Sequence, residues 1–220
     1  MKILFINAVT REYGDVCISV EDSFIKYIGK EIPDGRYDRV IDCRRNLIMP
    51  ALYNCHTHAA MTLFRGYGED MPLQQWLEER IFPAEDRLTD RAVYVSSQLA
   101  AAEMIRNGIV SFTDMYFFCD QTAKAVIESG MKANIGRSIV SFDDSADPAA
   151  DSRFAEAKAL FSEYNNAGEG RVKIDMSLHA EYTNVAGMVR AVSDYAAEVG
   201  ANMHIHLSET QKEQIGRAHV

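Results

Sequence analysis

The first 48 residues alternate apolar and polar positions in short runs, ILFINAVT, DVCISVED and SFIKYIGK, and a turn signal at Pro33, Asp34 and Gly35 follows them. Alternation of this kind predicts half-buried strands and hence part of a small β layer over residues 1–48. After Pro50 the pattern changes to apolar strand followed by helix, repeated. Strands are expected at residues 47–55, 109–116, 132–140, 172–179 and 202–207. Helix punctuation lies between them. Thr89 is placed to cap a helix that stops at Gly108, Asp147 and Pro148 open another that stops near Gly168, and AGMVRAVSDYAAEVG ends at Gly200. Five such steps predict an α/β fold with a parallel sheet, since parallel neighbours need a crossover and the crossover is usually a helix.

A doubly wound sheet and a (β/α)8 TIM barrel both satisfy that count. A nucleotide-binding sheet would open its first turn with a glycine fingerprint; GYGED at 66–70 is only a fragment of one, and histidines follow the first strand instead. Chemically competent residues stand at the ends of several strands: His56, His58, Asp114, Arg137, His179, His206 and Glu209. A barrel assembles its active site from the ends of different strands, so this distribution favours a barrel of which 49–214 is the first half.

A hydrophobic content of 47% over 220 residues can fill a real core. The net charge of −9, with no basic run, argues against nucleic acid or an anionic membrane surface and toward a small-molecule partner. The N-terminal apolar stretch is too short for a signal peptide and no run approaches a membrane span. Cys17, Cys43, Cys55 and Cys119 form no CxxC pair, which fits buried thiols in a reducing cytoplasm.

The candidate chemistry lies in NCHTHAAM and HIHLSET. Residues i and i+2 of a strand share a face, so His56 and His58 can present two imidazoles to one ion. A hydrogen-bonded structural pair would read the same. The second pair, His204 and His206, shifts the balance, because buried imidazoles need partners for both nitrogens. One divalent metal ion is the economical explanation, zinc foremost, with iron or nickel as alternatives. Glu209 lies just past the strand end, where a carboxylate can reach water at the metal without ligating it and serve as general base. HAE at His179–Glu181 matches half of a cytidine-deaminase zinc signature, but no PCxxC follows, so His179 reads as a pocket residue. Trp76 is either an apolar wall of that pocket or a packed helix residue.

These stretches, with GYGEDMPLQQWLEERIFPAEDRLT, resemble the amidohydrolase superfamily, and within it the branch of deaminases acting on 5-methylthioadenosine and S-adenosylhomocysteine. The resemblance covers residues 1–214. It implies a (β/α)8 barrel beside a small β-sandwich, with a metal held by His56, His58 and His206 and with Glu209 as proton shuttle. It implies substrate contacts at Glu85, Arg137, Arg153 and His179, and no ligand role for His204. The reaction implied is hydrolytic deamination of an adenine-type nucleoside thioether with release of ammonia. Ala51 and Cys55 depart from the family's common glycine and threonine. Binuclear members bridge two ions with a lysine at the end of strand four; here Lys173 is at the wrong end of that strand, so one metal is favoured. Triazine dechlorination and guanine or cytosine deamination are alternative reactions on such a site. A noncatalytic metal-binding barrel remnant is an alternative from another class. Homo-oligomerisation of the full-length protein is left open.

The resemblance implies an aspartate ligand and a strand-six histidine beyond residue 214, where a closed barrel needs three more strands, and the 220 residues alone are expected to be poorly soluble and inactive. The closing hexapeptide, Ile215–Val220, resembles translated sequencing adapter and is set aside as a non-native tail.

Overall fold

The computed structural model describes residues 1–209, 211 and 213, so the reading of Ile215–Val220 lies outside the described residues. The chain divides into two compact units, Met1–Ala51 and a second that starts at Leu52.

In the first unit, β1 (Lys2–Thr10), β2 (Gly14–Glu21), β3 (Phe24–Gly29) and β4 (Arg39–Asp42) form one sheet in the order β3-β2-β1-β4. The first three are antiparallel neighbours, whereas β4 runs parallel to β1. Alternation puts Ala8, Val16 and Ile18 into a small core against Phe5, Val20, Cys43 and Ile48. The β1–β2 register shifts between Phe5 and Ala8, where Asn7 takes a left-handed φ of 53° and its side-chain amide donates to Asp42 Oδ1 at 2.9 Å. Asparagine is among the few residues that adopt this conformation readily.

In the second unit, β5 (Leu52–Thr57), β6 (Ile109–Tyr116), β7 (Lys132–Arg137), β8 (Val172–Ala180) and β9 (Met203–His206) form a parallel sheet in chain order. Four long helices accompany them: α1 (Asp90–Arg106), α2 (Cys119–Ser129), α3 (Ser152–Tyr164) and α4 (Ala186–Val199). The sheet is curled. In a flat one, β5 and β9 at opposite edges would lie roughly 19 Å apart at the usual strand spacing, yet the rings of His56 and His206 sit 5.0 Å apart, nearly stacked. A curled, all-parallel wall with helices packed on it is the wall of a partial (β/α)8 barrel.

Side-chain period two sorts the strands into two faces. Phe112, Ala133, Ile135, Ile174, Met176 and Leu178 pack against helix residues such as Met104, Val126, Leu160 and Val192 to form the main core. Full burial of one such large apolar side chain is worth about 1.5–3 kcal/mol. Asn134, Gly136, Asp175, Ser177, His179, His204 and His206 alternate with them and occupy the inner face. There the Asn134 amide donates to Asp175 Oδ2 at 3.2 Å.

Helix ends follow local chemistry. Thr89 Oγ1 accepts the Ala92 N–H at 3.3 Å and opens α1 as expected. Gly130 and Gly200, at φ 75° and 69°, close α2 and α4 in the left-handed conformation that glycine adopts without steric cost. The expected helix from Asp147 to Gly168 is corrected. Asp147 caps only a 3₁₀ turn, Pro148–Ala150, and Asp151 caps α3 by accepting from the N–H groups of Arg153 and Phe154 at 2.8 and 3.2 Å. The first barrel strand starts at Leu52 and not at residue 47, and β7 ends at Arg137, with Ile139 continuing as an isolated bridge to Leu178. No helix among the described residues is long and apolar enough to cross a membrane.

Candidate active site

The curl brings the ends of β5 and β9 together. Candidate ligand nitrogens of His56, His58 and His206 all lie within 4.8 Å of one another. His58 sits one residue past β5, where its Nδ1–H donates to the Met115 carbonyl at 2.6 Å, which leaves Nε2 with its lone pair outward. The preceding residue on β6, Asp114, is fully buried and its Oδ1 accepts the Ala59 N–H at 2.6 Å. Two successive residues of one strand therefore fix two successive residues of the ligand turn. Burial, reinforced by the neighbouring histidines, lowers the pKa of His58 and of His206, and so favours the neutral imidazole that can ligate. His206 Nδ1 is buried with no hydrogen-bond partner among the described residues.

Beside these histidines is a cavity of about 320 Å³, the size of a small-molecule site. His58, His179, His206, Glu85 and Glu209 line it. Its walls are mostly apolar and include Leu73, Trp76, Leu77, Phe82 and Phe142. Trp76 is thus a wall residue, steadied by an indole N–H that donates to the Tyr67 carbonyl at 3.0 Å. The wall comes from a helical stretch built of Leu73–Trp76, a π-helical turn Leu77–Ile81 and Phe82–Glu85. Pro83 has no N–H for an α-helical bond to residue 79, and its ring would crowd that carbonyl, which suits a wider turn at this point.

Glu85 ends that stretch. Its Oε1 accepts the Tyr116 hydroxyl at 2.7 Å; burial raises its pKa and the Tyr116 bond opposes the rise. His179, at the end of β8, has Nδ1 3.2 Å from Thr183 Oγ1, and burial lowers its pKa. Its ring lies edge-on to His206 with centroids 5.2 Å apart. Glu209 accepts the Tyr182 hydroxyl at 2.9 Å through Oε2.

Two residues expected to contact substrate are placed elsewhere. Arg137 shares strand parity with Ala133 and Ile135, so its side chain leaves the sheet on the helix side. There its Nε donates to Glu156 at 2.6 Å and its guanidinium lies 5.2 Å from the Phe117 ring centroid. It lines a different cavity, between Phe118 and Tyr164. Arg153 is on the first turn of α3, held by Asp151 at 2.9 Å, and does not line the histidine cavity. His204 lies on the inner face two residues before His206, with ring centroids 6.4 Å apart, and is not part of the three-histidine group. Lys173 bonds Asn166 near the start of β8, at the end of the strand away from His179. Sequence reasoning missed Tyr116 and Tyr182; both follow a residue already singled out in the chain, within DMY and HAEY.

Residues 47–219 match the amidohydrolase family. Among curated relatives, the chain is 39% identical over 203 residues to a 5-methylthioadenosine/S-adenosylhomocysteine deaminase of Moorella thermoacetica, covering 91% of this chain and 46% of that protein. It is 40% identical over 216 residues to a 5′-deoxyadenosine deaminase of Methanosarcina barkeri, covering 97% and 49%. Among solved structures, it superposes on an adenosine deaminase from Xanthomonas campestris with bound zinc at a TM-score of 0.84 and 27% identity, covering 99% of this chain and 51% of that one. The chain therefore spans about half the length of the relatives it matches.

Proposed function

We propose, from the premise that this chain belongs to the amidohydrolase family, that it carries the metal-binding and proton-transfer half of a hydrolytic deaminase acting on an adenine-type nucleoside. The observation that carries this reading is the meeting of His56, His58 and His206 within 4.8 Å, with His58 and His206 also lining the cavity that holds Glu209.

The donor set fits one divalent ion. Imidazole suits zinc, iron and nickel, and the buried, unpartnered Nδ1 of His206 is a nitrogen in need of a partner. The chemistry a divalent ion supplies to such a site is the activation of water at neutral pH. Glu209 takes a proton from the attacking water, delivers it to the purine ring nitrogen, and then moves a proton to the departing amino group. Oxygen replaces nitrogen at the ring carbon, and ammonia leaves. Glu85 and His179 orient the ribose, and the apolar wall keeps bulk water from the base.

The lining also bears on the 5′ substituent. Among the described residues, no lysine or arginine lines the cavity, and Arg137 and Arg153 are committed to Glu156 and Asp151. A carboxylate-bearing substituent, as in S-adenosylhomocysteine, would meet no cationic partner there, whereas a methylthio or 5′-deoxy group meets apolar surface. The 5′-deoxyadenosine deaminase relative supports the apolar substituent, while the name of the other relative covers both 5-methylthioadenosine and S-adenosylhomocysteine.

Ammonia release by the whole protein from 5-methylthioadenosine, 5′-deoxyadenosine, S-adenosylhomocysteine, guanine and a triazine tests the reading. The highest kcat/KM is expected for the first two. No release from any adenine nucleoside, or a preference for guanine or the triazine, overturns it.

A further inference from the structure

We infer that Tyr182 is a positioning residue for Glu209, a built hydrogen-bond donor that holds the proton-transferring carboxylate in its working orientation. The inference rests on the deaminase reading above and adds to it a residue from a different strand end.

Tyr182 is the middle residue of a 3₁₀ turn, Glu181–Thr183, that follows β8 directly. That turn is pinned on both sides. Thr183 Oγ1 accepts the Ala180 N–H at 3.0 Å and donates to the Ala180 carbonyl at 3.1 Å. The Thr183 carbonyl accepts the Ser141 N–H at 2.9 Å, and the Val185 N–H returns to the Ser141 carbonyl at 3.0 Å. The Asn184 amide adds bonds to the carbonyls of Ile139 and Ala180, at 3.1 and 3.0 Å. Thr183 is buried within this network, while Tyr182 projects from it at 44% exposure and lines the cavity.

A rigid turn carrying one projecting phenol is a different object from a tyrosine on a mobile loop. Its ring stands edge-on to His179, with centroids 6.2 Å apart, and its hydroxyl donates to Glu209 Oε2 at 2.9 Å. Glu209 follows Ser208, at a left-handed φ of 59°, and is itself exposed. With the Tyr182 hydroxyl on Oε2, Oε1 is the oxygen assigned to proton exchange. Burial and the adjacent Glu209 carboxylate raise the pKa of Tyr182, so the phenol keeps its proton and stays a donor through the neutral range.

The test is a double-mutant cycle on the whole metal-loaded protein, using Tyr182→Phe, Glu209→Gln and the pair, with 5-methylthioadenosine as substrate. Y182F is expected to lower kcat roughly 10-fold, toward the lower end of what a charge-assisted hydrogen bond provides. KM should stay within about 2-fold, and metal content should match the wild type. In the E209Q background the same change is expected to have less than about a 2-fold effect, because the carboxylate it positions is gone. A structural role would lower both backgrounds equally, so an equal loss with and without Glu209 overturns the inference. Wild-type kcat in Y182F, or a loss confined to KM, overturns it as well. Failure of the underlying reading looks different: the wild type would release no ammonia, or E209Q would be as active as the wild type.

Discussion

Gly136 and Ser177 face each other across β7 and β8 on the inner side of the sheet, and replacing Gly136 by alanine tests how tightly that face is packed. A β-carbon at Gly136 would lie 2.6 Å from Ser177 Cβ and 3.0 Å from its Oγ, roughly 1 Å inside the optimum for carbon atoms. Ser177 is fully buried, so it cannot rotate into solvent, and the added atom must push the two strands apart. Overpacking of this kind costs about 1–3 kcal/mol. The backbone at Gly136 is outside the left-handed region, so alanine also gains about 0.4–1 kcal/mol by restricting the unfolded chain. The expected net loss for G136A is about 1–2 kcal/mol. Ser177→Gly removes the obstacle and on its own costs about 0.5–1 kcal/mol in chain entropy. The double variant is therefore expected within about 0.5 kcal/mol of the wild type, with the clash visible as a coupling energy. Urea unfolding of all four proteins, compared at equal m-value, gives the cycle. Strict additivity, or G136A as stable as the wild type, refutes the steric account and with it the placement of Gly136 and Ser177 on one face.

Three further outcomes are expected. Replacing His56, His58 or His206 by alanine should strip the metal, while His204→Ala should keep it; atomic spectroscopy decides, and normal occupancy in the His206 variant would remove that residue from the ligand set. Glu209→Gln should retain metal and substrate binding while turnover falls by about 10²- to 10⁴-fold; unchanged turnover moves the proton transfer to another group. Burial lifts the Asp114 carboxyl from 3.8 to about 7 against the opposing Ala59 N–H. Folding then takes up a proton, so this group's contribution is present below about pH 4 and is lost as pH rises to about 7. In metal-free protein the stability of Asp114→Asn relative to wild type should grow across that window, and a pH-independent difference in urea midpoints would contradict it.

The parallel sheet was legible because its strands are near-continuous apolar runs bounded by glycine or a capping residue, and IVSFTDMY coincides with β6 residue for residue. Arg39–Asp42 was not legible as a strand: it has four residues, and only its pairing with β1 gives it order. The stretch from Leu73 to Glu85 escaped for another reason, since Pro72 and Pro83 bracket a wide turn that shifts the 3.6-residue period. Of the site, period two made the pairs His56–His58 and His204–His206 visible, while the choice of His206 over His204 came from the family resemblance and its meeting with the first pair from the curl of the sheet. The same rule applied to Arg137 puts it with Ala133 and Ile135 on the helix side, away from the cavity; a motif match carried no information about face. Tyr116 and Tyr182 hydrogen-bond to partners 31 and 27 residues distant in the chain, contacts that no local pattern encodes.

The π-helical turn at Leu77–Ile81 carries a consequence for how this cavity changes its shape over evolution or in the laboratory. Leu73 and Trp76 precede the turn, Phe82 and Glu85 follow it, and all four reach the same cavity. Such a turn amounts to one residue inserted into an α-helix, and each residue of helix advances the phase by about 100°. Removing one residue from the turn would leave every side chain chemically intact while rotating the Leu73–Trp76 segment about a quarter-turn relative to Glu85. Part of the wall would be exchanged in one event. Length in this segment is thus a second alphabet for the substrate pocket, and a single-codon deletion there can redraw the cavity more than any one substitution along its lining.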